Sequence, residues 1–459
     1  MDNMHVDLLV IGFGKGGKSL AAALGRRGQR VAMVEQSDQM YGGTCINIGC
    51  VPSKSLIHHA TTRPDDADPE AWYTAAIAST AALTSGMRGK NFEMLDSIES
   101  VIVITGTAAF LDDKRVEVTA GQDRLEITAD TIVINTGASQ NVPDIPGLRG
   151  SARLATTTDL LSRPDLPRRL VVIGGGYQGI EFAAMLSRYG TEVTVLEGAE
   201  RILRSEDEDV ARAVEQILTD DGIKLVTGAR VTRVEDTADD ALVYYTSGEA
   251  GEQFVHADVV LAAVGRAPRT GDLRLEAAGV RTTERGAIAV DEHLRTSRPH
   301  IFALGDVNGG PQFTYISLDD SRIVADQLLG EGKRSTADRV AVPTTLFTTP
   351  PLARVGMTED QARPAGRAVR IASKPIAAMA AMPRARIVGE TRGMMKFVVD
   401  ADTDEILGAA LLSVDGQELI NTVALAMRTG TTASTLRDAI YTHPSSTEAF
   451  NEVLASFVR

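Results

Sequence analysis

Cysteine is almost missing from this sequence, which contains only Cys45 and Cys50 among 459 residues. A zinc site needs a second pair of cysteine or histidine ligands at regular spacing, and none follows, so no metal site is predicted. Cytosolic thiols are normally kept reduced, which argues against a structural disulfide. Two alternatives stay open here: two ordinary buried thiols, or one redox couple.

An excess of basic residues is also missing. The chain has 47 Lys and Arg against 61 Asp and Glu, which gives a net charge of −14. Nucleic acids and anionic membrane surfaces attract basic patches, so neither is expected as a partner. No segment has the roughly 18 consecutive apolar residues of a membrane span, and the N-terminus lacks the pattern of a secretory signal. We therefore expect a soluble, cytoplasmic protein.

Glycine is plentiful by contrast, and its first cluster follows an apolar segment at residues 6–11. Gly12, Gly14 and Gly17 form a G-x-G-x-x-G pattern between this predicted strand and a predicted helix, and the next strand ends in Glu35. Such glycines let backbone N–H groups approach a pyrophosphate, and the acid can bind ribose hydroxyls. This combination predicts a dinucleotide-binding fold.

The same pattern returns at residues 170–197. Its glycines are Gly174, Gly176 and Gly179. Two intact patterns predict two dinucleotides. The strand-end acid is Glu197, which would repel a 2′-phosphate and therefore favours NADH. Arg201 and Arg204 follow closely and could weaken this preference, so NADPH stays possible.

The spacing of the two cysteines restricts how they could bond. Positions five apart on a regular helix differ by about 7.5 Å in rise, whereas a disulfide needs Cα atoms roughly 4.4–6.8 Å apart. Cys45 and Cys50 can therefore bond only where the segment bends, and Gly49 gives freedom for that bend. A helix beginning after Gly42 and Gly43 would lower a thiol pKa and favour the reactive thiolate.

Two charged pairs could serve chemistry near the thiols. Lys54 follows the cysteines, and Glu181 in the second glycine-led helix is its natural partner; both could equally be surface charges. His443 and Glu448 could pair across the turn made by Pro444, so that the carboxylate orients the imidazole and raises its basicity. A histidine–proline turn with a purely structural role stays open as the alternative.

The rest of the chain carries weaker signals. Residues 258–268 are predicted as a strand closing the second nucleotide unit, and 301–306 as a buried strand offering Asp306 to a polyhydroxyl chain. The composition changes near residue 340. After that point we predict strands near 394–400 and 406–413 and helices near 415–430 and 445–458.

Taken together, "GGTCINIGCVPSK", the two glycine patterns, "IFALGD" and "HPSSTE" closely resemble the class I pyridine nucleotide–disulfide oxidoreductases. The resemblance implies an α/β chain with two Rossmann-like domains and an α+β dimerisation domain in a homodimer. FAD would bind 1–148 and 271–339, NAD(P)H would bind 149–270, and 340–459 would form the dimer interface.

The resemblance also implies roles for individual residues. Cys45 would be the thiol that meets substrate and Cys50 the charge-transfer thiol against the flavin, with Lys54 and Glu181 beside flavin N5. Tyr177 would cover the nicotinamide pocket, and His443 with Glu448 would act in the other subunit's active site. The further expected cofactor-binding residues are Gly43, Thr44, Ala108, Thr136, Gly137, Gly265, Asp306, Phe313 and Thr314.

Several segments, among them "GDVNGGPQFTYISLDDSRIV" and "FTTPPLARVGMTE", look most like bacterial reactive-chlorine-resistance flavoproteins, described as hypothiocyanous acid reductases with copper(II) reduction also described. We therefore expect NADH, through FAD and a Cys45–Cys50 disulfide, to reduce a small oxidant such as hypothiocyanous acid. Dihydrolipoamide dehydrogenase and a mercuric or copper(II) reductase are the alternatives, although the mercuric relay would need further cysteines after Cys50. A non-enzymatic redox sensor is disfavoured because the cysteine pair and the His443–Glu448 pair are intact.

Overall fold

Parallel strands and one glycine-led helix build the first region of the chain. The computed structural model describes residues 2–458. In chain order the first elements are β1 (Asp2–Ile11), α1 (Lys15–Gly25), β2 (Val31–Glu35), α2 (Thr44–Ile48), α3 (Cys50–Thr61), α4 (Pro69–Asp96), β3 (Val101–Thr105), β4 (Thr107–Phe110), β5 (Arg115–Ala120), β6 (Asp123–Ile134) and β7 (Ala138–Gln140). β1 starts earlier than the predicted strand at 6–11, because residues 2–5 also pair with β6 despite their polar sequence.

The parallel strands of the first sheet lie next to the first glycine pattern. Strands β3, β2, β1 and β6 are neighbours in this order and run parallel. The glycine turn leaves the carboxyl end of β1, and Glu35 ends the adjacent β2. Ligands of such sheets bind outside the carboxyl ends of the strands, so this edge is the expected nucleotide site.

The second region repeats this arrangement. Its elements are β8 (Leu154–Ala155), α5 (Thr157–Ser162), β9 (Arg169–Ile173), α6 (Tyr177–Tyr189), β10 (Glu192–Leu196), α7 (Glu208–Asp220), β11 (Lys224–Val226), β12 (Ala229–Asp236), β13 (Ala241–Ser247), β14 (Glu252–Ala257), β15 (Val259–Ala262) and β16 (Arg266–Pro268). A parallel sheet has the order β11-β10-β9-β15-β8, and β12, β13 and β14 form a separate antiparallel sheet.

The single strand predicted over 258–268 is wrong. β15 ends at Ala262, and Gly265 then turns the chain with a φ of 98°. The following β16 pairs antiparallel with β7, outside the second parallel sheet. A positive φ favours glycine and interrupts a strand, so the apolar run divides into one strand of the sheet and one strand of the connection to the first region.

The last elements complete the first sheet and form a third region. They are β17 (Ile301–Ala303), α8 (Thr314–Leu329), β18 (Thr344–Leu346), β19 (Leu352–Gly356), α9 (Glu359–Ala362), β20 (Val369–Pro375), α10 (Pro383–Ile387), β21 (Met394–Asp400), β22 (Ile406–Leu412), α11 (Gly416–Arg428), α12 (Ala433–Arg437), α13 (Ala449–Val453) and β23 (Phe457–Val458). β17 pairs parallel with β6, so residues on both sides of the second region share one sheet. The last six strands form one sheet in the order β18-β19-β22-β21-β20-β23.

The structure agrees with three of the four elements predicted after residue 340, at β21, β22 and α11. The helix predicted over 445–458 is wrong, because α13 has only five residues and β23 then pairs with β20. Local helix propensity gives way there to pairing with a strand distant in sequence. The predicted domain boundaries at 148, 270 and 339 all fall between regular elements, and they stay predictions.

Packing between α3 and α6 brings the cysteine segment to the second region. The Tyr189 hydroxyl on α6 donates to the Leu56 carbonyl on α3 at 2.8 Å, and both residues are buried. Tyr73 on α4 packs edge-on against Tyr189, with ring centroids 5.0 Å apart. Because α3 begins at Cys50, this contact fixes the thiols relative to both nucleotide folds. Within the described residues, no helix is long and apolar enough to span a membrane.

Candidate active site

Two short helices place the thiols together. α2 contains Cys45, and α3 begins at Cys50, with Gly49 as the junction between them. A Cβ atom at Gly49 would lie 3.0 Å from the Thr44 carbonyl oxygen, so the close return of the chain favours a glycine. Both cysteines are free thiols, and they lie close enough together for each to shift the pKa of the other. The bend expected from the sequence is therefore a break between two helices.

The surroundings make the two thiols unequal. The hydrogen bond from Cys45 lowers the pKa of Cys50 to about 6, with help from the Thr314 hydroxyl and the Lys54 charge and against the effect of burial. Thr314 Oγ1 lies 3.4 Å from the Cys50 sulfur. The same contact with Cys50, together with burial, raises the pKa of Cys45. Cys50 is thus the thiolate of the reduced pair, and Cys45 keeps its proton.

This result corrects the expectation about the helix N-terminus. The sequence placed the pKa-lowering helix start after Gly42 and Gly43, beside Cys45. The helix that starts there, α2, has only five residues, and the pKa of Cys45 is raised. The lowered pKa belongs to Cys50, which is the first residue of the longer α3.

A cavity of about 960 Å³ runs from the first glycine pattern to the thiols. It lies at the carboxyl edge of the first parallel sheet and is also lined by α6 and by the segment before β19. Thirteen predicted cofactor-binding residues line it, as do both cysteines and Glu181. These thirteen are Gly12, Gly14, Glu35, Gly43, Thr44, Lys54, Ala108, Thr136, Gly137, Tyr177, Asp306, Phe313 and Thr314.

The shape and donors of this cavity fit a flavin dinucleotide. Gly12 has a φ of 99°, and a Cβ atom there would lie 2.5 Å from the Asn135 carbonyl oxygen. At Gly14 a Cβ atom would lie 2.4 Å from Asn135 Oδ1, so a side chain does not fit there. Glycine at this position lets backbone N–H groups approach a pyrophosphate. Glu35 accepts a hydrogen bond from the Phe13 N–H at 2.9 Å, and burial raises its pKa. Asp306 is half-buried further along the same cavity, and desolvation raises its pKa.

Gly17, the third glycine of the pattern, does not line the cavity. Its N–H donates to Asn135 Oδ1 at 2.9 Å, and a Cβ atom would lie 2.7 Å from Val10 Cγ1. It therefore allows α1 to pack closely against β1. Asn135 was missed by the sequence analysis, although its side chain also donates to the Leu304 carbonyl at 2.6 Å. Its role depends on contacts more than 100 residues away, which no local pattern reveals.

The second glycine pattern lies outside this cavity, at the carboxyl ends of β9 and β10. Gly174 has a φ of 109°, and a Cβ atom at Gly179 would lie 2.0 Å from the Gly174 carbonyl oxygen. Glu197 accepts hydrogen bonds from the Gly175 N–H at 2.6 Å and the Ala199 N–H at 2.7 Å. Gly176 and Gly265 likewise do not line the cavity. The arrangement keeps the predicted ribose acid at the expected edge of the second sheet.

Lys54 and Glu181 are brought together at the cavity wall. Lys54 Nζ lies 2.8 Å from Glu181 Oε2, and Glu181 Oε1 accepts from the Phe347 N–H at 2.9 Å. The ammonium also lies 4.6 Å from the centre of the Phe347 ring. Three regions of the chain therefore meet at this pair, which makes a surface-charge role for Glu181 untenable because its side chain is buried.

His443 and Glu448 pair as well, but elsewhere. His443 Nδ1 lies 2.8 Å from Glu448 Oε1, and the Ser445 N–H donates to the other carboxylate oxygen at 2.8 Å. The hydrogen bond with His443 lowers the pKa of Glu448. The imidazole is 72% exposed, and neither residue lines the cavity of its own chain.

Two further charged residues at or near the cavity were missed by the sequence analysis. Arg266 is half-buried in the cavity wall, where desolvation lowers its pKa and the charge of Asp306 opposes that shift. Lys18 lies beneath the glycine turn, donates to the Gly42 carbonyl at 3.3 Å, and has its pKa lowered to about 8 by burial. Arg266 directly follows a predicted glycine, which was the available signal; Lys18 looks like an ordinary helix-surface lysine.

Comparison with known families decides the classification. The family model "Pyridine nucleotide-disulphide oxidoreductase" matches residues 6–321, and the dimerisation domain of the same family matches residues 342–454. The chain belongs to the pyridine nucleotide–disulfide oxidoreductases. The predicted fold class and enzyme class are thereby confirmed: a flavin-dependent oxidoreductase with FAD-binding, NAD(P)-binding and dimerisation domains, which uses FAD and NAD(P)H.

Individual relatives agree with this classification. RclA of Escherichia coli is 45% identical over 97% of this chain and 98% of its own length. A mercuric reductase of Staphylococcus aureus is 38% identical over 94% of this chain and 79% of its own length. The dihydrolipoyl dehydrogenase of Geobacillus stearothermophilus is 33% identical, over 96% and 94%.

Solved structures of the same relative superpose closely. The HOCl-induced flavoprotein disulfide reductase RclA from Escherichia coli gives a TM-score of 0.92 at 45% identity, covering 98% of this chain and 99% of that one. Its Cu(II) complex gives a TM-score of 0.93 with the same identity and coverage. The predicted similarity to the reactive-chlorine-resistance subgroup is therefore confirmed.

Proposed function

We propose that this oxidoreductase uses NAD(P)H, with NADH preferred, to reduce a small oxidant through Cys45 and Cys50, and that this oxidant is hypothiocyanous acid. The observation that carries the proposal is a single dithiol facing the cavity, with Cys50 held as thiolate, in a chain without a third cysteine. The description of RclA as HOCl-induced supports an oxidant as substrate. We expect the enzyme to act in the cytoplasm.

Residues that line the cavity would hold FAD by its pyrophosphate, its ribose and its ribityl chain. Gly12 and Gly14 would face the pyrophosphate, and Glu35 would bind the ribose hydroxyls. Asp306 would bind the ribityl chain. When bound, FAD supplies two-electron transfer between NAD(P)H and the cysteine pair. Lys54, fixed by Glu181, would keep a positive charge at the cavity wall where negative charge develops.

The unequal thiols suit reduction of a divalent sulfur oxidant. In the proposed step the Cys50 thiolate accepts the Cys45 proton, and the resulting Cys45 thiolate attacks the sulfur of hypothiocyanous acid. The proton then passes from Cys50 to the leaving hydroxyl group, which departs as water. The Cys50 thiolate then attacks the Cys45 sulfur, expels thiocyanate and forms the disulfide. Two thiol electrons are transferred, and the Cys50 thiolate is the base that offsets the raised pKa of Cys45.

We further propose that the enzyme is a homodimer, as the dimerisation domain supports. His443 lies outside the cavity of its own chain, and we propose that it serves the cavity of the second copy. A disulfide substrate would need an acid to protonate its leaving thiolate. The His443 imidazole, which Glu448 orients, is suited to this task.

Turnover by the purified holoenzyme tests the substrate. NADH oxidation is measured with hypothiocyanous acid, lipoamide, Hg(II) and Cu(II), and repeated with NADPH. Cu(II) is included because RclA forms a Cu(II) complex. We expect rapid turnover with hypothiocyanous acid, and loss of at least about a hundredfold in Cys45→Ser and Cys50→Ser. Turnover with lipoamide but none with hypothiocyanous acid would contradict the proposal.

A further inference from the structure

A buried carboxylate holds the hydroxyl group of Tyr177. The Tyr177 hydroxyl donates to Glu206 Oε1 at 2.9 Å, and Arg354 Nη1 donates to the same oxygen at 3.1 Å. Arg354 Nη1 also donates to the Ser205 carbonyl at 3.1 Å. The Glu206 side chain is 1% exposed and that of Arg354 is 17% exposed. We name Tyr177, Glu206 and Arg354 the tyrosine clamp.

The tyrosine clamp joins two regions of the chain at the cavity. Tyr177 begins α6 and lines the cavity, and Glu206 precedes α7 in the second region. Arg354 lies on β19, in the third region. A buried carboxylate is stable only with a charged partner, and Arg354 supplies that partner from the other region. The Tyr177 hydroxyl is therefore hydrogen-bonded to a carboxylate whose position depends on the third region as well as on the second.

We propose that Glu206 and Arg354 are positioning residues that hold Tyr177 closed over the nicotinamide side of the cavity and so set the cost of NAD(P)H entry. This rests on the proposed role of Tyr177 as the cover of the nicotinamide. Entry of the nicotinamide requires the phenol ring to swing aside, which breaks the hydrogen bond to Glu206. A charge-assisted hydrogen bond of this kind opposes the opening, and the bound nucleotide must supply that free energy.

Burial and the nearby charge of Glu206 raise the pKa of Tyr177, so the hydroxyl keeps its proton and remains a donor throughout the physiological pH range. The bond is therefore present in the resting enzyme at any working pH. Its strength depends on Arg354, which donates to the same oxygen and holds the Glu206 carboxylate in position for Tyr177. The tyrosine clamp therefore makes the same contribution to nucleotide affinity at every working pH. Its three side chains set the size of this contribution.

Equilibrium binding to the oxidised holoenzyme tests the clamp without turnover. Dissociation constants are measured by calorimetry for NAD⁺, for NADP⁺, and for ADP-ribose, which lacks the nicotinamide. Tyr177→Phe keeps the ring and removes only the hydroxyl group. We expect it to bind the preferred nucleotide about three- to tenfold more tightly, with ADP-ribose affinity unchanged. Equal nucleotide affinity in Tyr177→Phe and the natural protein would overturn the inference.

Two further variants separate the clamp from general stability. Arg354→Met should change nucleotide affinity in the same direction, and combining it with Tyr177→Phe should add little, since both act on one bond. Arg354→Lys should restore the natural affinity. Asp221→Asn is the matched control, because Asp221 bonds Arg392 across the same two regions at 2.6 Å without contacting Tyr177. An equal effect of Asp221→Asn would also overturn the inference.

Flavin reduction distinguishes failure of the clamp from failure of the proposed function. In stopped-flow experiments with NADH or NADPH, Tyr177→Phe should reach half-saturation of flavin reduction at a lower nucleotide concentration than the natural protein. A natural protein that neither nucleotide reduces would overturn both the proposed function and the clamp. Rapid reduction with identical half-saturation in both proteins would overturn the clamp alone.

Discussion

At the scale of single residues, neighbours rather than position in the motif divide the work between the two thiols. Cys50 has the lower pKa because Cys45 donates to it and because Thr314 and Lys54 add a hydrogen bond and a positive charge. The thiolate is the nucleophile that closes the disulfide, so its population at neutral pH limits how fast the cycle can finish. Thr314 is the contributor that substitution can remove most cleanly.

Thr314→Val should raise the pKa of Cys50 above its value of about 6, because the hydroxyl that stabilises the thiolate is lost. The sign follows directly: a lowered pKa means that thiolate predominates above pH 6, so removing a lowering contact shifts its appearance to higher pH. The pH dependence of iodoacetamide alkylation of the reduced enzyme measures this shift. Thr314→Ser keeps a hydroxyl and should behave like the natural protein, and an unshifted profile in Thr314→Val would refute the role.

At the scale of elements, glycines serve two different purposes within one pattern. Gly179 lets the first turn of α6 pack against β9, with a Cβ atom only 2.0 Å from the Gly174 carbonyl oxygen. Gly176 has no atom within 4 Å of its Cβ position and has an ordinary φ of −80°. The first glycine is required by packing of the chain itself, and the second leaves space that a bound nucleotide would use.

This difference predicts opposite outcomes for two alanine substitutions. Gly179→Ala should destabilise the second region by about 1–3 kcal/mol, because a methyl group must displace backbone. Gly176→Ala should leave the thermal midpoint unchanged yet weaken NAD(P)H binding. Thermal unfolding and nucleotide titration of both variants give the comparison. A midpoint lowered equally in both would show that space around the glycines does not decide stability.

At the scale of the whole molecule, exposed apolar residues concentrate in the matched dimerisation domain. Ile387, Leu425 and Ile440 are all largely exposed in the single chain, and Ile440 is fully so. We expect these side chains to be buried against a second copy, because they lie in the matched dimerisation domain. Ile440 also lies three residues before His443, so the same surface would bring the imidazole towards a second copy.

Ile440→Asp should weaken the dimer at least about a hundredfold, because each of two copies loses about 1.5–3 kcal/mol of apolar burial and gains a charge. Sedimentation equilibrium measures the dimer constant. The control is Phe254→Asp, since Phe254 is 54% exposed in β14, outside the dimerisation domain. Its dimer constant should stay unchanged. A dimer of natural strength in Ile440→Asp would place the interface elsewhere.

Much of the candidate site could be predicted from short sequence motifs. The glycine turns, Glu35 and the cysteine pair could be predicted because their chemistry requires fixed residue types at fixed spacing. One prediction failed because a distant contact outweighs local preference, and another failed because a glycine within the segment breaks it. The helix over 445–458 is replaced by pairing of β23 with β20, and the strand over 258–268 is broken by Gly265.

The sequence by itself determined the family and the two nucleotide folds, because these depend on local patterns, and through the family resemblance it predicts the redox couple. Only the tertiary structure decided which thiol is the thiolate and which residues surround the dithiol. Those properties arise from Cys45, Thr314 and Lys54 around Cys50, with Thr314 supplied by the distant α8 and Lys54 held by Glu181 of α6. The tyrosine clamp is the extreme case, since hydrogen bonds and burial there join residues whose separation in sequence carries no signal.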